Sequence, residues 1–101
     1  QLTSVIATDV VTHVHAVDLD EERGAVYVAT HEGILRVAID GSESDAEPAT
    51  VERLGVWKGD IMGMARLDAA IYFSGHPAPG ENLPANIGLY RTDVAVKRSH
   101  R

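Results

Sequence analysis

Two stretches of this chain follow one pattern, and that repetition constrains the fold more than any other feature. AVYVATH (residues 25–31) and AIYFSGH (residues 70–76) are each an apolar, β-branched or aromatic run that ends in small residues and a histidine. Superposing Tyr27 on Tyr72 aligns His31 with His76, 45 residues apart (31 to 76). Superposing the Leu-Asp pairs aligns VHAVDLD with MGMARLD, 48 residues apart (19 to 67), and the difference implies a shorter hairpin turn in the second copy. A chain that writes the same unit twice folds as repeats, and each repeat is one supersecondary unit.

The unit is built from strands. Thr12–Leu19, Ala25–Thr30 and Ile34–Ile39 are short and rich in β-branched residues, and DEERG and HEG between them supply turn chemistry. GSESDAEPAT (residues 41–50) reads as a polar loop, and Pro48 argues against a helix starting at Ser44. Val51–Trp57 is a fourth strand. The order then restarts with Ile61–Asp68, Ala70–His76 and Ile87–Asp93. Four short antiparallel strands recurring over about 40–50 residues are the pattern of a propeller blade. The expected fold class is therefore all-β: antiparallel four-stranded blades, about two blades of a β-propeller. The two-blade segment spans residues 1–93, with blade one at about 12–57 and a partial blade two at about 60–93; residues 94–101 form a divergent basic tail. Propellers close with roughly 4–8 blades, and each blade buries its faces only against neighbours. Three arrangements satisfy that requirement: a piece of a longer chain, a ring completed by remaining blades or other copies of the chain, and a compact two-sheet structure. The first residue is Gln1 and not methionine, as in a processed or excised product.

Composition excludes several partners. Nine basic against fifteen acidic residues leave a net charge of −6, which disfavours nucleic acid and anionic membrane surfaces. No apolar run reaches the roughly 18 residues of a membrane-spanning helix. Without cysteine there is neither a disulfide framework nor a thiolate metal site. Phosphate loops, nucleophile elbows and His-Glu-x-x-His motifs are absent, and DLDEER (residues 18–23) lacks EF-hand spacing and reads as a solvated hairpin tip.

The chemistry-bearing residues collect by strand direction. His13 and His15 are two apart, so on a strand both leave one face. If the first two strands form a hairpin, the start of the first lies beside the end of the second, where His31 stands. In the second copy Asp60 precedes the first strand and His76 closes the second. His13, His15, His31, Asp60 and His76 are therefore expected on one rim, with His13 and His15 nearest His31 and Asp60 nearest His76. Three readings fit that rim. Imidazoles suit zinc or another borderline divalent metal, with His13, His15 and His31 as ligands. The same groups suit a polar ligand such as a glycan or a protein, or general acid–base work near neutral pH. The third reading is structural, each histidine bonding a backbone carbonyl and pinning a loop. Gly33 and Gly88 lead into third strands where a tight turn favours glycine. Pro77, Pro79 and Pro84 stiffen the long second loop, Asn82 and Asn86 suit its turns, and Trp57, Met62 and Met64 read as packing between blades.

HVHAVDLD, VYVATHEGILR, DIMGM and SGHPAPGENLPANIGLYRTD together resemble the N-terminal part of bacterial sialidase-like β-propellers with BNR repeats, which are labelled glycosyl hydrolases. The resemblance covers about Thr12 to Asp93, and the loop from SGHP to GLYRTD is its most specific part. In that family the third strand runs into an Asp box, Ser/Thr-x-Asp-x-Gly-x-x-Trp. Here VAVKRSHR follows Asp93 and carries neither the glycine nor the tryptophan. The resemblance implies a glycoside hydrolase-like or glycan-binding protein, exported to the periplasm or cell exterior, whose chemistry needs a completed ring. The segment alone is expected to be inactive.

Overall fold

Among the described residues, alternating apolar positions and short polar turns produce seven strands and two hairpin meanders. A computed structural model describes residues 2–6, 13–54, 59–77 and 88–94. The strands are β1 (Ala16–Asp20), β2 (Ala25–Thr30), β3 (Gly33–Ala38), β4 (Thr50–Arg53), β5 (Gly59–Leu67), β6 (Ala70–Pro77) and β7 (Gly88–Asp93). They form a four-stranded sheet, β1-β2-β3-β4, and a three-stranded sheet, β5-β6-β7, with every pairing antiparallel between chain neighbours. The described residues contain no helix, so none is long and apolar enough to cross a membrane. The chain is all-β, as its residue pattern implied.

The two sheets pack face to face. Ala25, Tyr27 and Ala29 alternate along β2 onto one face, with Ile34 of β3 beside them. They form one buried cluster with Ile61 of β5, Ile71 and Phe73 of β6, Leu54 and Val94. Burying such side chains contributes about 1.5–3 kcal/mol each. Val94 was assigned to the divergent tail, but it is fully buried and its N–H donates to Ala69 O at 3.0 Å. The fold therefore reaches at least to Val94.

Register revises three sequence readings. Asp18 stands opposite Tyr27 and Ala65 opposite Tyr72, so the first strands repeat at 47 residues (18 to 65) and not at 48. Matching the Leu-Asp pairs equated Asp20, a buried strand residue, with Asp68, a turn residue at φ 53°. β1 begins at Ala16 and not at Thr12, because His13 takes φ 55°. That conformation breaks the extended geometry ahead of the strand, where the rings of His13 and His15 both meet that of His31, and it costs about 1–2 kcal/mol in a residue with a Cβ. Finally, β5 carries a bulge between Ile61 and Gly63. The extra residue puts Ile61 and Met64 on the same face and leaves Met62 exposed, so the two methionines do not both pack between sheets. Trp57, Pro79, Asn82, Pro84 and Asn86 lie outside the described residues.

Candidate metal centre

His31 occupies the two-residue β2–β3 turn, and that turn is held from both sides. Thr30 is buried; its hydroxyl donates to Gly33 O at 2.8 Å and accepts from the Glu32 N–H at 3.0 Å. Gly33 takes φ 109°, a conformation open to glycine and strained for other residues. Arg53 of β4 donates to Glu32 O and ties the turn to the sheet edge. His15 is placed by the β1–β2 ladder, since its N–H donates to Ala29 O at 2.8 Å. The His15 and His31 rings stack at a centroid distance of 4.9 Å, and the His13 ring meets that of His31 edge-on at 4.2 Å.

The second sheet supplies the carboxylate. Asp60 is the second residue of β5, directly opposite His76 on β6. Its Oδ1 lies 3.2 Å from His15 Nε2 and 3.7 Å from His31 Nε2. Solvent does not reach this oxygen, yet it has no hydrogen-bond partner. Leaving a buried acceptor unsatisfied costs about 1–3 kcal/mol. One ligand atom from each of His15, His31 and Asp60 fits within 4.8 Å of the others. Zinc at bond lengths of about 2.0–2.1 Å holds tetrahedral ligand atoms about 3.3–3.4 Å apart. The two distances to Asp60 Oδ1 are within a few tenths of an ångström of that value, and the third pair of ligand atoms lies within 4.8 Å.

Asp60 is held where it is by glycine. A Cβ on Gly75 would collide with the Asp60 carbonyl oxygen and come within 3.2 Å of Asp60 C and Ile61 Cα. Only a residue without a side chain lets β5 and β6 approach so closely beside the bulge.

Of the five rim residues, the structure brings His15, His31 and Asp60 together as one potential ligand set. His13 adjoins that set through its ring contact with His31. His76 keeps its cross-strand position beside Asp60 but is exposed and outside the set. No histidine ring bonds a backbone carbonyl among the described residues; Thr30 and Arg53 pin the turn instead. Thr30, Arg53 and Gly75 escape sequence reading. A threonine one residue before the turn was the single available signal, since its hydroxyl mimics a turn bond.

A second polar cluster lies at the opposite, hairpin end of the sheets. Asp20, only 1% exposed, accepts from Tyr27 Oη at 2.8 Å, from Arg23 Nη1 at 3.0 Å and from the Arg23 N–H at 3.3 Å. Burial alone pushes its carboxyl up, but the hydrogen bonds from Tyr27 and Arg23 outweigh it and hold the group below its ordinary value. Burial and the Asp20 carboxylate push the Tyr27 phenol up in turn. Arg23 also reaches Asp68 Oδ1 at 3.3 Å, while the Arg66 N–H donates to Asp18 Oδ2 at 2.9 Å and Arg66 Nη2 to Leu19 O at 3.1 Å. This cluster bonds one hairpin to the other and leaves only the Arg66 Nε without a partner among its described buried polar atoms, so it is a staple between sheets. The stretch read as a solvated tip therefore contains the most buried carboxylate described.

Comparison with protein-family models, with curated proteins and with solved structures returns no match to this chain.

Proposed function

We propose that this chain is a two-blade segment of a sialidase-like β-propeller and acts as an interaction module whose rim binds a divalent transition metal through His15, His31 and Asp60. One observation carries the metal reading: Asp60 Oδ1 is shut off from solvent, has no hydrogen-bond partner, and faces two imidazole nitrogens at 3.2 and 3.7 Å. A cation relieves that orphaned acceptor and uses the nitrogen lone pairs in the same step. A set of two nitrogens and one carboxylate favours zinc over calcium, which takes 6–8 oxygen ligands. The propeller reading is supported by consecutive antiparallel meanders and by a Tyr-Arg cross-strand pair in each sheet, Tyr27 with Arg36 and Tyr72 with Arg91.

Because His15 and His31 belong to the first sheet and Asp60 to the second, the ion clamps the two sheets together. Zinc held at about 100 times its dissociation constant adds about 2.7 kcal/mol to stability. Titration calorimetry tests the site. Zinc is expected to bind more tightly than calcium, and His31→Ala or Asp60→Asn to weaken it by about tenfold or more. His76→Ala leaves zinc affinity nearly unchanged. Acidification releases the ion, since protonated imidazole does not coordinate. Equal zinc and calcium affinities, or a His31→Ala chain that binds zinc like the parent, would overturn the metal site. Turnover of an aryl glycoside that survives chelation would favour the hydrolase implied by the resemblance.

A further inference from the structure

An ion held by His15, His31 and Asp60 is one ligand short of a closed shell. Zinc is four-coordinate in structural sites, and three protein ligands leave the fourth tetrahedral position to water or an outside donor. Among the described residues no fourth ligand joins the set; His13 and His76 stand outside it. The three ligands are unequally buried. Asp60 Oδ1 is closed to solvent, whereas the His15 and His31 side chains are 34% and 44% exposed. The carboxylate therefore anchors the ion from within, and the remaining position lies on the side of the exposed imidazoles. Charge adds a preference. A divalent ion bound by one carboxylate and two neutral imidazoles keeps one positive charge, which an anion neutralises. His13 borders that side. Its ring is exposed and meets His31 edge-on at 4.2 Å, and its backbone takes φ 55°, a conformation that persists only where the surroundings hold it.

We propose that the interaction is made through the ion itself: a carboxylate of the ligand takes the fourth position with one oxygen, while its second oxygen accepts from the His13 imidazole N–H. This rests on the metal site proposed above and adds the ligand that the site takes. A carboxylate fits on three counts. Its oxygen is a zinc ligand at about 2.0–2.2 Å. Its charge cancels the charge left on the ion. Its second oxygen gives His13 a charge-assisted hydrogen bond, roughly twice as strong as a neutral one. A hydroxyl leaves the charge uncompensated, and chloride has a single atom and makes no use of His13. His13 is then not a metal ligand but the residue that tells a two-oxygen anion from a one-atom anion.

Cobalt(II) in place of zinc makes the fourth position visible, since its absorption bands report the ligands around it. In a buffer free of carboxylates, acetate is expected to change the cobalt bands saturably. His13→Gly removes the ring and relieves the backbone at φ 55°. This variant is expected to bind cobalt as the parent does and acetate about tenfold more weakly, the loss of one hydrogen bond to a charged group. Its chloride affinity is expected to be unchanged. A peptide blocked at both ends and carrying one glutamate distinguishes the source. Binding at least as tight as acetate assigns a protein side chain; exclusion of the peptide while acetate binds assigns a small free acid. Failure of cobalt and zinc to bind at all removes the metal site itself. Bound cobalt whose bands ignore acetate overturns this proposal and leaves the metal site standing. So does a His13→Gly chain that binds acetate like the parent, or one that loses chloride as much as acetate.

Discussion

Asp20→Ala lowers the stability of this chain by about 3 kcal/mol, within the range for breaking a buried ion pair from one side. The loss is large because the carboxylate, 1% exposed, serves Tyr27 Oη and two donors of Arg23. Removing it strands a phenol in the core and an arginine at the seam between hairpins. For a domain of this size the melting temperature falls by roughly 10–20 °C. Asp20→Asn keeps an acceptor for Tyr27 and loses less, about half as much by the ratio of neutral to charged hydrogen bonds. The pH dependence follows from the depressed carboxyl. Its contribution is present above the unfolded carboxylate value, about pH 4, and is lost as pH falls through the lower folded value. Denaturant titrations across the acid range are therefore expected to show a shallower acid limb in Asp20→Ala than in the parent. Parallel acid limbs and a melting temperature changed by less than about 3 °C would show that Asp20 is not the staple.

Gly75→Ala is expected to cost about 2–3 kcal/mol, as overpacking against an unyielding neighbour does. The clash is with the Asp60 carbonyl and, behind it, with Asp60 C and Ile61 Cα, all backbone atoms that no rotamer change removes. β5 must shift away from β6, and the Asp60 carboxylate moves with it. Zinc affinity should therefore fall by about tenfold along with stability, the scale seen when support behind a ligand is lost. Gly63→Ala is the matched control in the same strand pair, since its Cβ meets only Ser74 Oγ at 4.0 Å. It is expected to change stability by less than about 1 kcal/mol and leave zinc binding alone. If Gly75→Ala is as mild as Gly63→Ala, the close approach does not hold Asp60 in place.

Much of the strand layout was legible because period-2 alternation is local. AVYVAT becomes β2 with the limits its residues imply, and AIYFSGH lies within β6. Direction was legible too. A short turn forces antiparallel neighbours, and that alone brought His15 beside His31. The carboxylate partner was not readable in the same way. Asp60 is paired by register with His76, yet its Oδ1 lies against histidines of the other sheet. That contact depends on how two sheets cross, which no residue spacing encodes.

The bulge at Ile61–Gly63 shows the same limit on a smaller scale. One extra residue reverses the facing of everything after it, so the two methionines part company. The turn after Asp20 misled for a related reason. Asp, Glu and Arg in a row are the composition of a wet turn, and only the burial of Tyr27 beneath it turns Asp20 into a core residue. By itself the sequence determined what is set between near neighbours: strand identity, antiparallel order, the repeat, and which histidines share an end of the sheet. The tertiary structure alone decided which oxygen is left without a partner and which glycine lets two strands close up. Those properties depend on distances between residues far apart in the chain, and local preference carries no term for them.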